Sequence, residues 1–169
     1  YLYAGNFKRA LELLTRIYKD LPRESILLRM SEIMDQFTDE RLKAIRMLET
    51  HRRMNISSND VYLKLLELYQ KERDVEGILG TYKALYAQDD NELYLKKIID
   101  VYIYKRDIDA AIAFLEKTKA KDELLYELYK TKRYFAKALA LADKLYSKDN
   151  NAKWIAEKGV LLFEKSEDK

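Results

Sequence analysis

The chain has 169 residues, of which 48 % are apolar and 36 % charged, with one proline, four glycines and no cysteine. The absence of cysteine excludes disulfides, thiolate metal sites and cysteine nucleophiles. The 32 Lys and Arg residues stand against 29 Asp and Glu residues and are spread evenly along the chain, which disfavours nucleic-acid binding. The apolar runs are far shorter than the roughly 20 residues that a membrane span needs, so none is predicted.

Apolar side chains recur with a helical period along the chain and predict a succession of helices. The predicted spans are 1–4, 7–20, 24–37, 40–54, 59–72, 75–88, 91–105, 108–119, 122–132, 134–147 and 151–165. Residues whose side-chain oxygen accepts free backbone N–H groups stand just before four of these helices, at Asn6, Asp39, Asp74 and Asp107. With so few glycines and prolines for tight turns, the sequence predicts an all-α fold.

Two sets of residues repeat with a period of about 34 residues, the length of a helix-hairpin repeat. Tyr69 is followed by Tyr102 after 33 residues and then by Tyr129 after 27. A matching series of small residues opens the second helix of four of the pairs, at Ala10, Ala44, Ala111 and Ala138. The predicted helices therefore pair into hairpins over 1–22, 23–57, 58–90, 91–120 and 121–150, with part of a sixth over 151–169.

The hairpin residues resemble the tetratricopeptide repeat, whose first helix carries an aromatic residue, a leucine and a tyrosine and whose second helix carries an alanine. Tyr62, Leu65 and Tyr69 fill the first-helix positions, and Ala44 with Leu48 fills those of a second helix. The resemblance implies a right-handed α-solenoid of about five hairpins in a single repeat domain. It also places Tyr69, Tyr102, Tyr129 and Trp154 in the core.

Some features depart from the family pattern. Ile78 stands where a second-helix alanine is expected, and we expect its neighbours Gly77 and Gly80 to allow close helix packing. The interval from Tyr102 to Tyr129, 27 residues instead of about 34, shortens the chain between the fourth and fifth hairpins. Because the chain starts within a first helix and stops soon after the Trp154 helix, without a polar capping helix, we expect a segment truncated at both ends.

The sequence offers little for catalysis. His51 is the only histidine, which excludes paired-histidine chemistry, and its spacing from Ala44 and Leu48 predicts a packing role. Neither a glycine-rich phosphate loop nor a Gly-x-Ser-x-Gly motif occurs, and the carboxylate pairs lie where they cap helices. We therefore expect no enzymatic activity, no cofactor, no metal and no small-molecule substrate.

In the family that the chain resembles, the first helices line a concave groove that grips the ligand. The resemblance implies a basic column of Arg29, Lys64 and Lys97. Three residues further along each helix it implies an acidic column of Glu32, Glu67, Asp100 and Glu127, and at the helix ends it implies contacts at Tyr3, Gln36, Lys71, Tyr104 and Thr131. A basic residue can pair with an acidic one at i+3. The columns are therefore either a solvated salt-bridge ladder or a groove that reads a charged or polar peptide; the acidic column disfavours a terminal carboxylate.

The leading interpretation is a non-enzymatic scaffold module that binds a protein partner through this groove. The alternative is an RNA-binding helical-repeat protein, since pentatricopeptide repeats share the hairpin and read one base per repeat, but the alternating charges disfavour it. A third interpretation is a docking arm of a larger enzyme or of a secretion or assembly complex. The 21 Lys against 11 Arg favour a bacterial source with an AT-rich genome, and the lack of cysteine favours a periplasm or cell envelope over the cytoplasm.

Overall fold

The computed structural model describes residues 6–54, 57–119 and 121–167. Within these ranges the chain forms ten α-helices and no strand. The helices are α1 (Phe7–Asp20), α2 (Glu24–Phe37), α3 (Arg41–Met54), α4 (Asn59–Glu72), α5 (Val75–Asp89), α6 (Glu92–Tyr104), α7 (Ile108–Thr118), α8 (Asp122–Thr131), α9 (Phe135–Asp149) and α10 (Ala152–Glu167). The all-α prediction is confirmed; the helix predicted over 1–4 lies outside the described residues.

The chain divides into two compact units, unit 1 (Tyr1–Ile98) and unit 2 (Ile99–Lys169), with the division inside α6. In unit 1, α1 packs on α2, α2 on α3, α3 on α4 and α4 on α5. In unit 2, α7 packs on α8, α8 on α9 and α9 on α10. This packing of α1 to α5 and of α7 to α10 in succession confirms the predicted array of paired helices.

Three hairpin turns share one backbone geometry. The carbonyls of Tyr69, Tyr102 and Tyr129 each accept a hydrogen bond from the N–H five residues on, at 2.9, 3.0 and 2.8 Å. The residue before each donor is an arginine with a left-handed φ of 56°, 58° and 56°, namely Arg73, Arg106 and Arg133. This is the Schellman arrangement, which satisfies the last free carbonyls of the first helix. The repeated Tyr-x3-Arg spacing therefore encodes the turn between the two helices.

The helix N-termini follow the capping prediction at three of the four positions. The side chains of Asn6, Asp74 and Asp107 each accept a hydrogen bond from the backbone N–H three residues on, at 3.3, 2.9 and 3.1 Å. The prediction is wrong at Asp39. Because α3 begins at Arg41, Asp39 lies one residue too early to be the N-cap, and it takes a left-handed φ of 53° in the turn.

The repeated small residues and the predicted aromatic residues lie in the cores. Side chains of one carbon let two helices approach closely, and no part of the second-helix alanine is exposed at Ala44, Ala111 and Ala138. The aromatic residues predicted for the core are also buried, at Tyr69, Tyr102, Tyr129 and Trp154. The ring of Trp154 packs edge-on against that of Tyr126, with centroids 5.3 Å apart. The predicted core positions are confirmed.

The two glycines beside Ile78 differ in their surroundings. A Cβ atom added at Gly77 would lie 2.3 Å from the Tyr69 ring, whose hydroxyl donates a hydrogen bond to Glu49 at 3.0 Å. A Cβ atom added at Gly80 would meet nothing within 4 Å, on the exposed face of α5. The expectation of close packing is therefore confirmed at Gly77 and wrong at Gly80.

Replacing Ala111 with leucine should lower the free energy of unfolding by about 1–3 kcal/mol, because three further carbons must enter a packed contact. Ala113→Leu is the matched control, since Ala113 lies on the exposed face of the same helix, and it should change stability by less than about 0.5 kcal/mol. Urea unfolding followed by circular dichroism measures both. Equal stabilities of the two variants would contradict the packing of α7.

Replacing Gly77 with alanine should destabilise the chain by about 1–3 kcal/mol, because the methyl group clashes with a ring that a hydrogen bond holds in place. At Gly80 the same substitution should stabilise it by up to about 1 kcal/mol, because alanine favours a helix and has room there. Thermal unfolding by calorimetry compares the two variants. The assignment fails if both substitutions shift the melting temperature in the same direction.

Candidate interaction surface on the first helices

Two of the candidate charge pairs form on first helices of unit 1. On α2, Arg29 Nη1 donates to Glu32 Oε2 at 2.8 Å, and on α4, Lys64 Nζ donates to Glu67 Oε2 at 2.8 Å. Both bonds join residue i to residue i+3, as the spacing predicted. Both side chains of the Arg29 pair are largely exposed. The Lys64 side chain, in contrast, is only 11 % exposed. These charges are therefore held in place by neighbours on the same helix.

A buried carboxylate that sequence reasoning missed joins three helices beside these pairs. The side chain of Asp35, at the end of α2, is 2 % exposed. It accepts hydrogen bonds from Nε of Arg41 on α3, at 2.5 Å, and from Nζ of Lys71 on α4. Lys71 also donates to Glu67 Oε1 at 2.7 Å. Asp35 thus connects α2, α3 and α4 through two cations.

The contacts extend to a closed set of charges, which we call the unit 1 network. Arg41 Nη1 donates to Glu72 Oε1, at the end of α4, at 2.8 Å. The network consists of three basic and three acidic side chains, namely Arg41, Lys64, Lys71, Asp35, Glu67 and Glu72. Its formal charge is therefore zero when all six groups are ionised.

The hydrogen bonds of the network favour the ionised forms of Asp35, Glu67 and Lys71. Burial works against the charge of Asp35, but the bonds from Lys71 and Arg41 outweigh it and hold the pKa of Asp35 below its ordinary value. The bonds from Lys64 and Lys71 lower the pKa of Glu67. The bonds to Asp35 and Glu67 raise the pKa of Lys71. At neutral pH the ion pairs therefore persist.

The helices α2 and α4, which carry these ion pairs, also present leucine side chains that sequence reasoning missed. Leu63, on α4, is 55 % exposed. Leu28, at the corresponding place on α2, is half-buried against the core. Each leucine stands four residues before a member of the acidic column, Glu32 or Glu67, and so lies next to it on the helix surface; the signal was therefore present in the sequence. The face formed by α2 and α4, which pack on each other, therefore carries apolar side chains next to fixed charges.

The remaining candidates are exposed on their helices. Gln36, the last candidate residue on α2, is exposed. On α6, Lys97 in unit 1 and Asp100 in unit 2 are both exposed, and neither forms an ion pair with any residue that the structure describes. Tyr104, also in unit 2, is 77 % exposed. Two further candidates are exposed on α8, Glu127 and Thr131, and Tyr3 lies outside the described residues.

Unit 2 contains a second carboxylate that joins first helices. Glu157 on α10 accepts hydrogen bonds from Nζ of Lys130 and from the hydroxyl of Tyr126, both at 3.0 Å. The bond from Lys130, helped by that from Tyr126, lowers the pKa of Glu157 despite partial burial. Lys130 lies in the last turn of α8, as Lys71 does in α4. In each unit, a lysine near the end of one helix thus forms an ion pair with a carboxylate on a neighbouring helix.

His51 has the packing role that the sequence predicted. It is buried near the end of α3, with Nδ1 2.8 Å from the hydroxyl of Tyr18 on α1 and Nε2 3.3 Å from the carboxylate of Glu24 on α2. The backbone N–H of Ser58, next to α4, donates to the same carboxylate at 3.0 Å. The histidine therefore helps to join four consecutive helical segments.

Neither a metal site nor a membrane span is found in the part of the chain that the structure describes. No three His, Cys, Asp or Glu side chains come close enough there to hold a metal ion. None of the helices in the same ranges has both the length and the apolar character that crossing a bilayer requires.

Comparisons with protein-family models and with curated proteins gave no match. Among solved structures, the chain is similar to the crystal structure of a tetratricopeptide repeat protein from Parabacteroides merdae ATCC 43184, with 15 % sequence identity and a TM-score of 0.49. The similarity covers 96 % of this chain and 68 % of that chain.

Replacing Asp35 with asparagine should lower the free energy of unfolding by about 2–3 kcal/mol at neutral pH, because Lys71 and Arg41 lose their shared carboxylate. The loss should depend on pH. A native-state pKa below the unfolded value of about 3.9 means that the carboxylate stabilises the fold above that pH and ceases to do so as the pH falls through the native pKa. The difference between wild type and variant should therefore shrink below about pH 4.

Chemical unfolding at a series of pH values measures this difference. Glu32→Gln is the control, because its partner is exposed on the same helix, and it should cost less than about 1 kcal/mol. A wild-type advantage over Asp35→Asn that stays constant down to about pH 2 would show that the carboxylate charge contributes nothing.

Proposed function

We propose that the chain is a non-enzymatic protein–protein interaction module that binds its partner through the α2–α4 face of unit 1. The observation that carries this proposal is the exposed Leu63 beside ion-paired charges on α4, with Leu28 and the pair of Arg29 and Glu32 on the neighbouring helix. Protein interfaces combine apolar contacts with a polar surround in this way.

The ion pairs support binding by ordering the surface before the partner arrives. Long charged side chains lose conformational entropy when an interface immobilises them. Lys64, Glu67 and Lys71 are already held by one another and by Asp35. A partner that contacts Leu63 therefore meets charges whose positions are set, and it orders fewer side chains on binding.

The same pairing disfavours RNA as the ligand. Nucleic-acid affinity comes largely from cations that neutralise phosphates. The three basic side chains of the unit 1 network are matched by three carboxylates, and Arg29 is matched by Glu32. A phosphate backbone on this face would meet as many negative groups as positive ones. The partner that fits is a protein segment with apolar side chains at its centre and polar groups of both signs around them.

Replacing Leu63 with serine should weaken partner binding at least about fivefold, because it removes an exposed apolar contact at the centre of the face. Leu42→Ser is the matched control. Leu42 is 60 % exposed but lies on α3, a second helix, and its replacement should leave binding unchanged. Affinity capture from the source organism with wild type and both variants, followed by quantitative mass spectrometry, identifies proteins that only Leu63→Ser fails to retain.

Two outcomes would contradict the proposal. Equal retention of every captured protein by Leu63→Ser and wild type would show that the α2–α4 face makes no contact with a partner. Binding of a labelled single-stranded RNA pool that weakens with salt and is unaffected by protein competitors would assign the chain to the nucleic-acid class instead.

A further inference from the structure

Unit 2 contains a cleft of about 590 Å³ bounded by α7, α8 and α9. It lies where the repeat spacing is short: α7 and α8 have 11 and 10 residues, whereas α9 has 15. Ligand-binding pockets have volumes of about 300–1,000 Å³, so the cleft is large enough to take several side chains.

The inner surface of the cleft is mainly apolar. Leu115 from α7, Leu125 from α8 and Leu141 from α9 line it, and all three belong to the buried core. Ala140, which is exposed on α9, also lines it. Leu115 is completely buried beneath this surface, so a ligand that enters the cleft gains apolar contact with α8 and α9, at Leu125, Leu141 and the exposed Ala140.

Lysines surround this apolar surface, with carboxylates that match two of them. Lys137 Nζ lies 3.0 Å from Glu116 Oε1, and Lys144 Nζ lies 2.8 Å from Asp122 Oδ2. The third lysine, Lys119, is exposed at the C-cap of α7 and forms no ion pair within the described ranges. The rim thus has a formal charge of +1.

The carboxylate of Glu116 does not depend on Lys137 alone. The hydroxyl of Tyr129 donates to its Oε1 at 2.6 Å, and this bond, together with Lys137, lowers the pKa of Glu116. Burial and the same bond raise the pKa of Tyr129 to about 12, so the hydroxyl keeps its proton. Lys137 can therefore turn towards a ligand while Glu116 retains a hydrogen-bond donor.

We propose that this cleft binds an acidic amphipathic peptide segment. Its apolar side chains contact Leu125, Leu141 and Ala140, and its carboxylates contact the lysines of the rim, Lys119 first. This surface lies in unit 2 and is a different one from the α2–α4 face of unit 1, so it extends the proposed function to a second binding site.

The charges argue against α1 or α10 of a second copy of the chain as the occupant. Exposed apolar residues occur on α1, including Leu13 and Ile17, but that helix carries four basic and two acidic side chains. Exposed apolar residues also occur on α10, including Leu162 and Phe163, where three basic and three acidic side chains balance. Neither helix supplies the excess of negative charge that the rim attracts.

Fluorescence anisotropy with defined peptides tests the proposal on the full chain. The probe is a labelled peptide of about 14 residues with leucine at every third or fourth position and glutamate elsewhere, so that its leucines lie on one face when it is helical. One control peptide replaces glutamate with lysine, and another replaces leucine with serine. Only the first peptide should bind, because it alone has both the apolar and the acidic groups.

Two pairs of variants locate the binding. Lys119→Asn should weaken it about three- to fivefold, and Arg106→Asn should not, although each removes an exposed cation with a left-handed backbone that asparagine tolerates. Ala140→Glu should weaken it at least about tenfold by placing a carboxylate in the cleft, whereas Ala156→Glu, on the exposed face of α10, should not. Leu63→Ser should also leave this binding unchanged, which separates it from the function proposed for unit 1.

Several results would overturn the proposal. Absence of binding by the acidic peptide, or equal binding by the peptide without leucine, would show that the cleft does not accept an apolar segment. If Lys119→Asn and Arg106→Asn weaken binding of the acidic peptide equally, the peptide is attracted by the net positive charge of the chain and not by the cleft. Self-association that Ala140→Glu abolishes, measured by analytical ultracentrifugation, would make a second copy the occupant.

Discussion

The close approach of paired helices at side chains of one carbon or none is the constraint on which this structure depends. Ala44, Ala111 and Ala138 are completely buried at equivalent places in three hairpins. The hairpin that has Ile78 at this place meets the same need with Gly77, whose Cα faces the ring of Tyr69. A small residue therefore lies at the contact between the helices in each of these hairpins, although its type and position differ. A degenerate repeat thus still produces packed helix pairs.

Once the helices are paired, the charges on the first helices have structural partners. Burying the carboxylate of Asp35 costs solvation free energy, and two cations from neighbouring helices offset that cost. Lys71 therefore stabilises the packing of its helix through an ion pair, and Lys130 does the same in unit 2 through Glu157. The basic and acidic columns that suggest a charge-reading groove are, in unit 1, largely a means of fixing the surface. Leu63 is left exposed beside these charges, as the apolar group on which the proposed interface depends.

Local signals explain why the helices could be predicted and the network could not. The Tyr-x3-Arg turn and the caps at Asp74 and Asp107 involve residues at most five apart, so the sequence displays them directly. Asp35 takes partners six and 36 residues away, and its burial depends on how three helices meet. The shortened interval before Tyr129 was visible in the sequence, but the cleft beside it depends on side chains from three helices.

The two proposed surfaces differ in the forces available to them. On the α2–α4 face the network charges cancel, so affinity rests on apolar contact and should respond little to salt. In the unit 2 cleft, Lys119 is exposed and forms no ion pair with the described residues, and its attraction for a carboxylate weakens as ionic strength rises. An electrostatic contact of this kind mainly speeds encounter and selects acidic partners, while the leucines supply the affinity. A protein partner that uses both surfaces therefore needs an apolar segment of balanced charge and a separate acidic one.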